Sequence, residues 1–95
     1  MKKGGWVYIV CNQAFGTLYI GVTADLPRRL HQHRTGTGGF THRYHLSRLV
    51  YAEWHDDIAT AIQRETSLKR WRRAWKLDLI TAGNPGWDDL AGTVG

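Results

Sequence analysis

Glu65 is the residue whose position most needs an explanation. From about residue 58 to 71, the apolar positions Ile58, Ala61, Ile62 and Leu68 recur at helical spacing, and Glu65 falls in the middle of that stripe. A carboxylate on a face intended for burial is costly unless a cation or hydrogen-bond donor meets it. Two readings satisfy that demand. One is an intrahelical pair with Lys69, four residues on in the favourable Glu-then-Lys order. The other is a metal ligand in a cleft shared with a neighbouring helix. Arg29 and His33 form a second i,i+4 pair, beside the Leu26/Leu30 stripe of an earlier helical segment. The same wheel turns Arg28 away and Arg29 toward whatever that helix packs on. Tyr8 and Tyr19 stand in two β-rich runs, where an aromatic is more often a core residue, though a phenol can also hold or pass a proton.

The elements that must position these groups follow from local chemistry. Residues 6–11 (Trp-Val-Tyr-Ile-Val-Cys) and 17–23 (Thr-Leu-Tyr-Ile-Gly-Val-Thr) are β-branched and aromatic, and read as strands joined by a hairpin. Pairing Val7 with Val22, Ile9 with Ile20 and Cys11 with Leu18 puts the uniformly apolar sets on one face and leaves the loop Gln13 to Gly16. Tyr8 and Tyr19 then share the opposite face on a diagonal. Asp25 is the expected N-cap of a first helix, with Pro27 in its first turn and Gly36 as its stop. Residues 48–54 read as a third strand, and Asp56 or Asp57 caps a helix over 58–71. A last helix over 74–82 ends at Gly83. The order β-β-α-β-α-α predicts an α+β fold, a small sheet with helices against it. The apolar residues of the first two strands are expected to belong to one core.

Composition narrows the function. Ninety-five residues suit one domain, expected over 5–90 with 91–95 as a flexible tail. At 42% hydrophobic and 22% charged the chain is globular rather than disordered. No apolar run approaches the ~18–20 residues of a membrane span. Nor does the N-terminus carry a signal peptide's apolar stretch, so a cytoplasmic monomer is expected. Cys11 is the sole cysteine, which excludes an internal disulfide or a Cys-rich zinc cluster. Thirteen Lys+Arg against 8 Asp+Glu give +5 and a pI near 9.8, favouring a polyanionic partner, nucleic acid before a membrane surface. Arg64, Lys69, Arg70, Arg72, Arg73 and Lys76 form a basic run interleaved with Trp71 and Trp75. That run reads either as a solvated helical face or as a surface for base stacking and phosphate contact. Arg28 and Arg43 are further candidate phosphate contacts. His31 and His33 diverge on a helix and do not chelate together. Gly36-Thr37-Gly38-Gly39 lacks the strand and lysine of a P-loop.

Together these residues resemble a known family. Val7-Tyr8 followed by Tyr19-Ile20-Gly21 is similar to the GIY-YIG nuclease signature, with Trp6 where the first glycine usually stands. The resemblance runs on through Val22-Thr23-Ala24-Asp25-Leu26-Pro27-Arg28-Arg29-Leu30, His33, Arg64-Glu65, Leu68-Lys69 and Trp71. It ends in Asn84-Pro85-Gly86-Trp87-Asp88-Asp89-Leu90, like the tail of small stand-alone bacterial members. It implies a three-stranded antiparallel sheet flanked by helices and phosphodiester hydrolysis with one divalent metal, Mg2+ or Mn2+. Tyr8, Tyr19, Arg29 and His33 would then be catalytic and Glu65 the metal ligand. An asparagine found in some members falls on Leu77, with Asn84 a distant substitute.

The chemistry asks for such groups: an activated water, charge on the phosphorus oxygens, and help for the departing alkoxide. Tyr8 is expected as base with His33 receiving its proton, Tyr19 as water-positioning group, and Arg29 as donor to the scissile phosphate. DNA, branched or single-stranded, is favoured over RNA, with DNA repair the expected setting and an accessory protein an allowed partner. The alternatives are a nucleic-acid-binding module with this fold and little catalysis, and a structural or protein-interaction domain.

Overall fold

Strand β1 (Gly5–Cys11) is the middle strand of the molecule, flanked antiparallel by β2 (Leu18–Thr23) on one side and β3 (Arg48–His55) on the other. The computed structural model describes residues 3–35 and 46–93. Along the chain the other elements are helix α1 (Leu26–Thr35), helix α2 (Ile58–Arg70), helix α3 (Arg73–Gly83) and a closing 3-10 turn, Ala91–Thr93. The fold is α+β with the expected order. Gly36, the expected stop of α1, lies outside the described residues, as does Arg43.

The hairpin register is the one the apolar pattern demands: Val7 opposes Val22, Ile9 opposes Ile20 and Cys11 opposes Leu18. Gly16 N–H closes the turn on the Gln13 carbonyl at 3.0 Å, and Asn12 Oδ1 accepts from Thr17 N–H at 2.9 Å. Helices pack on both faces of the sheet and β1 is buried on each, so the expectation of one core for these strands is corrected to two. Val7, Ile9 and Cys11 meet Ile20, Val50, Ala61, Leu68, Ile80 and Trp87 on the face carrying α2 and α3. Tyr8 and Val10 meet Leu26, Leu30, Leu46 and Leu49 on the α1 face. A strand buried on both sides shows a continuous apolar run rather than an alternating one. That is why alternation revealed only half of the burial.

Local chemistry sets each helix. Asp25 Oδ1 accepts from Arg28 N–H at 3.2 Å and its carbonyl from Arg29 N–H at 3.1 Å, starting α1. Leu26, Leu30 and His33 are its buried stripe. Asp57 caps α2 by accepting from Ala59 N–H at 2.9 Å. Gly5 lets α2 approach β1, since a Cβ there would sit 2.3 Å from Ile58 Cδ1. Ile62, assigned to the buried stripe, is instead 47% exposed; only Ala61 and Leu68 of that helix are buried. A register irregularity between Ile9 and Val10 sends two successive β3 residues, Val50 and Tyr51, to the same face.

Two polar clusters fasten these layers. Asn84 is buried; its Nδ2 donates to the Val50 and Asp88 carbonyls at 3.2 and 2.9 Å, and its Oδ1 accepts from Asp88 N–H at 3.0 Å. It holds the chain that buries Trp87 and sends Leu90 N–H onto the Leu49 carbonyl at 2.7 Å, beside the outer strand β3. Glu53 on β3 is the second centre. It accepts from Tyr51 Oη, from Arg64 Nε at 2.8 Å, and pairs with His55 Nε2 at 2.9 Å. Burial pushes this carboxyl up, but those hydrogen bonds and the Arg64 charge outweigh burial and leave it below the usual carboxylate range. Burial and the Glu53 carboxylate push the Tyr51 phenol up to about 12.

Two stability predictions follow from these clusters. Asn84→Ala strands buried backbone groups and is expected to cost about 2–3 kcal/mol in urea unfolding, since each buried group left unpaired costs about 1–3 kcal/mol. Glu53, with its folded pKa depressed, contributes stability that is present above the unfolded pKa of about 4.3 and lost as pH falls through the folded value. Glu53→Gln is therefore expected to be destabilising at neutral pH, with the gap to wild type narrowing as unfolding is repeated at progressively lower pH.

Candidate active site

Tyr8 reaches its partners because the residue opposite has no side chain. In the β1–β2 register Tyr8 faces Gly21, and a Cβ on Gly21 would lie 2.5 Å from the Tyr8 hydroxyl and 2.6 Å from Cζ. The phenol therefore lies across bare β2 backbone. There Tyr8 Oη and His33 Nε2 are 2.9 Å apart in a buried hydrogen bond. With Nδ1 carrying the imidazole proton, the phenol donates to Nε2. Tyr19 completes an aromatic triangle, its ring centroid 6.4 Å from that of Tyr8 and 5.6 Å from that of His33. The diagonal placement of both tyrosines on the α1 face is as the register predicts.

Electrostatics ties two more residues to this triangle. Burial, and next the neighbouring Tyr19, raise the Tyr8 phenol well above the usual range; the Arg29 guanidinium pulls it down and the Glu65 carboxylate pushes it up. His33 is lowered, first by burial and then by the Arg29 charge, so its imidazole is neutral at pH 7 and can accept a proton. Arg29 is half-buried one turn before His33 on α1, while Arg28 is exposed. Both line an open cavity of about 240 Å³ with Thr23, Ala24, Asp25 and Gln32. Tyr8, Tyr19, Arg29 and His33 thus come together on the α1 side of the sheet.

Glu65 approaches from α2, which packs across the other face and touches β2. Its side chain is 15% exposed and pairs with Lys69 Nζ at 3.5 Å, while the Lys69 side chain is 52% exposed. The lysine pairing read from sequence is therefore present, and the carboxylate is not sealed. A loose pair with a solvent-facing lysine is weak and exchangeable. No group of three or more His, Cys, Asp or Glu suited to a metal exists among the described residues. A single carboxylate fits a hard divalent cation that keeps most of its water and takes further ligands from a phosphate, as Mg2+ does. It does not fit a closed structural zinc site.

The basic run divides. Arg70 is exposed, Arg72 lies over the Trp75 ring at 5.3 Å, and Trp75 is 52% exposed. Trp71 does not offer the same surface: it packs against the core and has Arg64 over its ring at 5.2 Å. Arg73 Nη2 donates to the Phe15 and Gly16 carbonyls at 2.7 and 2.6 Å, and Lys76 Nζ to the Lys69 carbonyl at 3.3 Å. Leu77 is half-buried against the core, and Asn84 is structural. Sequence reasoning missed the Glu53 centre, whose carboxylate pairs with Arg64, the residue just before Glu65. It also missed the physical role of Gly21, for which a glycine inside an apolar strand was the available signal.

Comparison with known proteins identifies a family. Residues 4–78 match the family described as the GIY-YIG catalytic domain. A UPF0213 protein of Staphylococcus saprophyticus is 36% identical over 80 residues, covering 82% of this chain and 95% of its own. One of Bacillus cereus is 31% identical over 86 residues, 90% of each chain, and one of Desulfotalea psychrophila is 34% identical over 92 residues, 93% of this chain and 82% of its own. No solved structure matches. No helix among the described residues is long and apolar enough to cross a membrane. With its signature tyrosines on adjacent strands and a family match over most of its length, the chain belongs to the GIY-YIG family of nuclease-type domains.

Proposed function

We propose that this protein is a divalent-metal-dependent endonuclease that hydrolyses phosphodiester bonds in DNA, branched or single-stranded forms included. The observation that carries the reading is the buried Tyr8–His33 hydrogen bond at 2.9 Å, with Arg29 and Glu65 close enough to act electrostatically on the phenol.

The residues divide the work as the reaction requires. Arg29, in the lining of the α1 cavity, donates to the non-bridging oxygens of the scissile phosphate. The Tyr8 oxygen takes a proton from the attacking water as its own hydroxyl proton passes to His33 Nε2. This relay avoids a free phenolate, which the burial of Tyr8 disfavours. Tyr19, on the same face, orients the water. Glu65 would hold Mg2+, or Mn2+ in its place, which when bound supplies positive charge to the phosphate and leaving oxygen. Lys69 must then release Glu65. Arg28, Lys69, Arg70, Arg72 and Lys76, with Arg43 outside the described residues, supply non-specific phosphate attraction. Arg73 adds its charge to that attraction as well as holding the hairpin tip.

The Glu65–Lys69 pair also supports a second reading, a binding module in which the lysine permanently neutralises the carboxylate. Cleavage of structured and single-stranded DNA, with RNA in parallel, separates the two. Glu65→Ala and Arg29→Ala are each expected to lower kcat by about 10²–10³-fold with unfolding midpoints near wild type, and chelation to abolish cleavage. Binding without any wild-type cleavage would establish the module.

The relay has its own signature in pH. Because the His33 pKa lies below 6.5, kcat/KM is expected to rise with pH through a midpoint below 6.5 and then to level off. Tyr8→Phe removes both the rate and the proton path. His33→Ala leaves a residual rate without that acid limb. A midpoint unchanged in His33→Ala would exclude His33 as the acceptor.

A further inference from the structure

A second concavity, sharing no lining residue with the α1 cavity, has a chemistry of its own. It lies between the tip of the β1–β2 hairpin and the start of α3, has a volume of about 580 Å³, and is lined among others by Asn12, Gln13, Phe15, Leu18, Arg73 and Lys76. That volume is within the range of small-molecule sites.

Phe15 is held in an unfavourable way. Its φ is 59°, a left-handed conformation that a bulky side chain rarely adopts, and the residue is still 55% exposed. Local preference would place glycine or asparagine there. The ring rests on the fully buried Trp87, centroids 4.6 Å apart at 31°, so it is a backed platform rather than a loose side chain. Arg73 locks the tip to α3 through the Phe15 and Gly16 carbonyls, both of which accept from its Nη2. Strain maintained by surrounding contacts at an exposed aromatic is a pointer to binding.

The lining combines one backed aromatic face, two cations and two side-chain amides, with no carboxylate. Those parts match a nucleotide: a π-face to stack on, base edges that exchange hydrogen bonds, and a negatively charged phosphate. A lipid or apolar ligand would leave the cations and amides unmatched. The groove lies on the Glu65 side of the sheet: Leu18 packs on the core that α2 and α3 share, Lys76 donates to the Lys69 carbonyl, and Lys69 pairs with Glu65.

We propose that this groove holds one unpaired nucleotide of the strand being cut, its base stacked on Phe15 and its phosphate against Lys76 and Arg73. The inference rests on the nuclease reading and deepens it: a base inside a duplex cannot present its face to Phe15, so the preferred substrate has a single-stranded segment beside the scissile phosphate.

The test is binding in the presence of chelator, so that nothing is cut. Fluorescence anisotropy is measured with a labelled short single strand, its duplex, and single strands carrying one abasic residue moved stepwise along the sequence. Wild type is expected to prefer the single strand and to lose about tenfold in affinity when the abasic residue falls at one particular position, the scale of one stacked base. Phe15→Ala is expected to bind the intact strand about tenfold more weakly and to ignore the abasic position. Phe15→Tyr keeps the platform and restores both, which separates stacking from misfolding. Lys76→Ala weakens every strand and lowers the salt slope by about one. Equal wild-type affinity for intact and all abasic strands, or an undiminished abasic response in Phe15→Ala, overturns the groove while leaving the nuclease reading intact. Failure of wild type to bind any DNA or RNA strand overturns both.

Discussion

A tyrosine hydroxyl buried between a sheet and a helix must be hydrogen-bonded, and in this molecule that requirement ties the first strand to the first helix. Leaving either group of the Tyr8–His33 pair unmatched in the interior would cost about 1–3 kcal/mol. The pair can form only because Gly21 presents backbone where any other residue would present a Cβ. Leu26 and Leu30 supply the apolar contact of α1, and His33 continues their stripe with a polar group aimed at the phenol. Once that bond sets the rotation of α1, Arg29 is carried to the cavity wall one turn earlier. The family's two-tyrosine signature is thus a packing statement as well as a chemical one.

The two faces of the sheet have different tasks. The α2/α3 face is where apolar burial accumulates: Trp87, Ile80, Leu68 and Val50 close over the strands, with Asn84 satisfying the turn that brings Trp87 back. The α1 face is smaller and carries the buried Tyr8–His33 pair. Glu65 belongs to the first layer yet is felt at Tyr8 in the second, because α2 also contacts β2, an outer strand of the sheet. Arg64, beside it in sequence, is held by Glu53 on the opposite outer strand. Of these neighbouring α2 residues, Arg64 fastens the helix to β3 through Glu53, and Glu65 acts electrostatically on Tyr8 of the central strand.

Much of the fold was legible because it follows from short-range rules. The register of the hairpin came from matching apolar sets, α1 from the Asp25 cap and its leucine spacing, α2 from its apolar periodicity. Helical geometry alone also distinguished Arg29 from Arg28. Two expectations failed for one shared reason. Ile62 was assigned to a buried stripe and the strands to a single core because periodicity identifies a face without saying how much of it a neighbour covers. Trp71 and Trp75 look equivalent among their arginines, but one packs on the core and the other is open.

The amino-acid order by itself determined the secondary elements and the pairing of β1 with β2, since each depends on neighbours a few positions apart or on alternation along a strand; helical spacing singled out Arg29 and Glu65, and the family resemblance added Tyr8, Tyr19 and His33. Which of these groups meet was a tertiary decision. Tyr8 and His33 are separated by 25 positions, Glu53 and Arg64 by 11, and the Phe15 carbonyl and Arg73 by 58. Such contacts depend on how helices rotate and slide on a twisted sheet, and that is settled by the packing of whole layers, which no local spacing encodes.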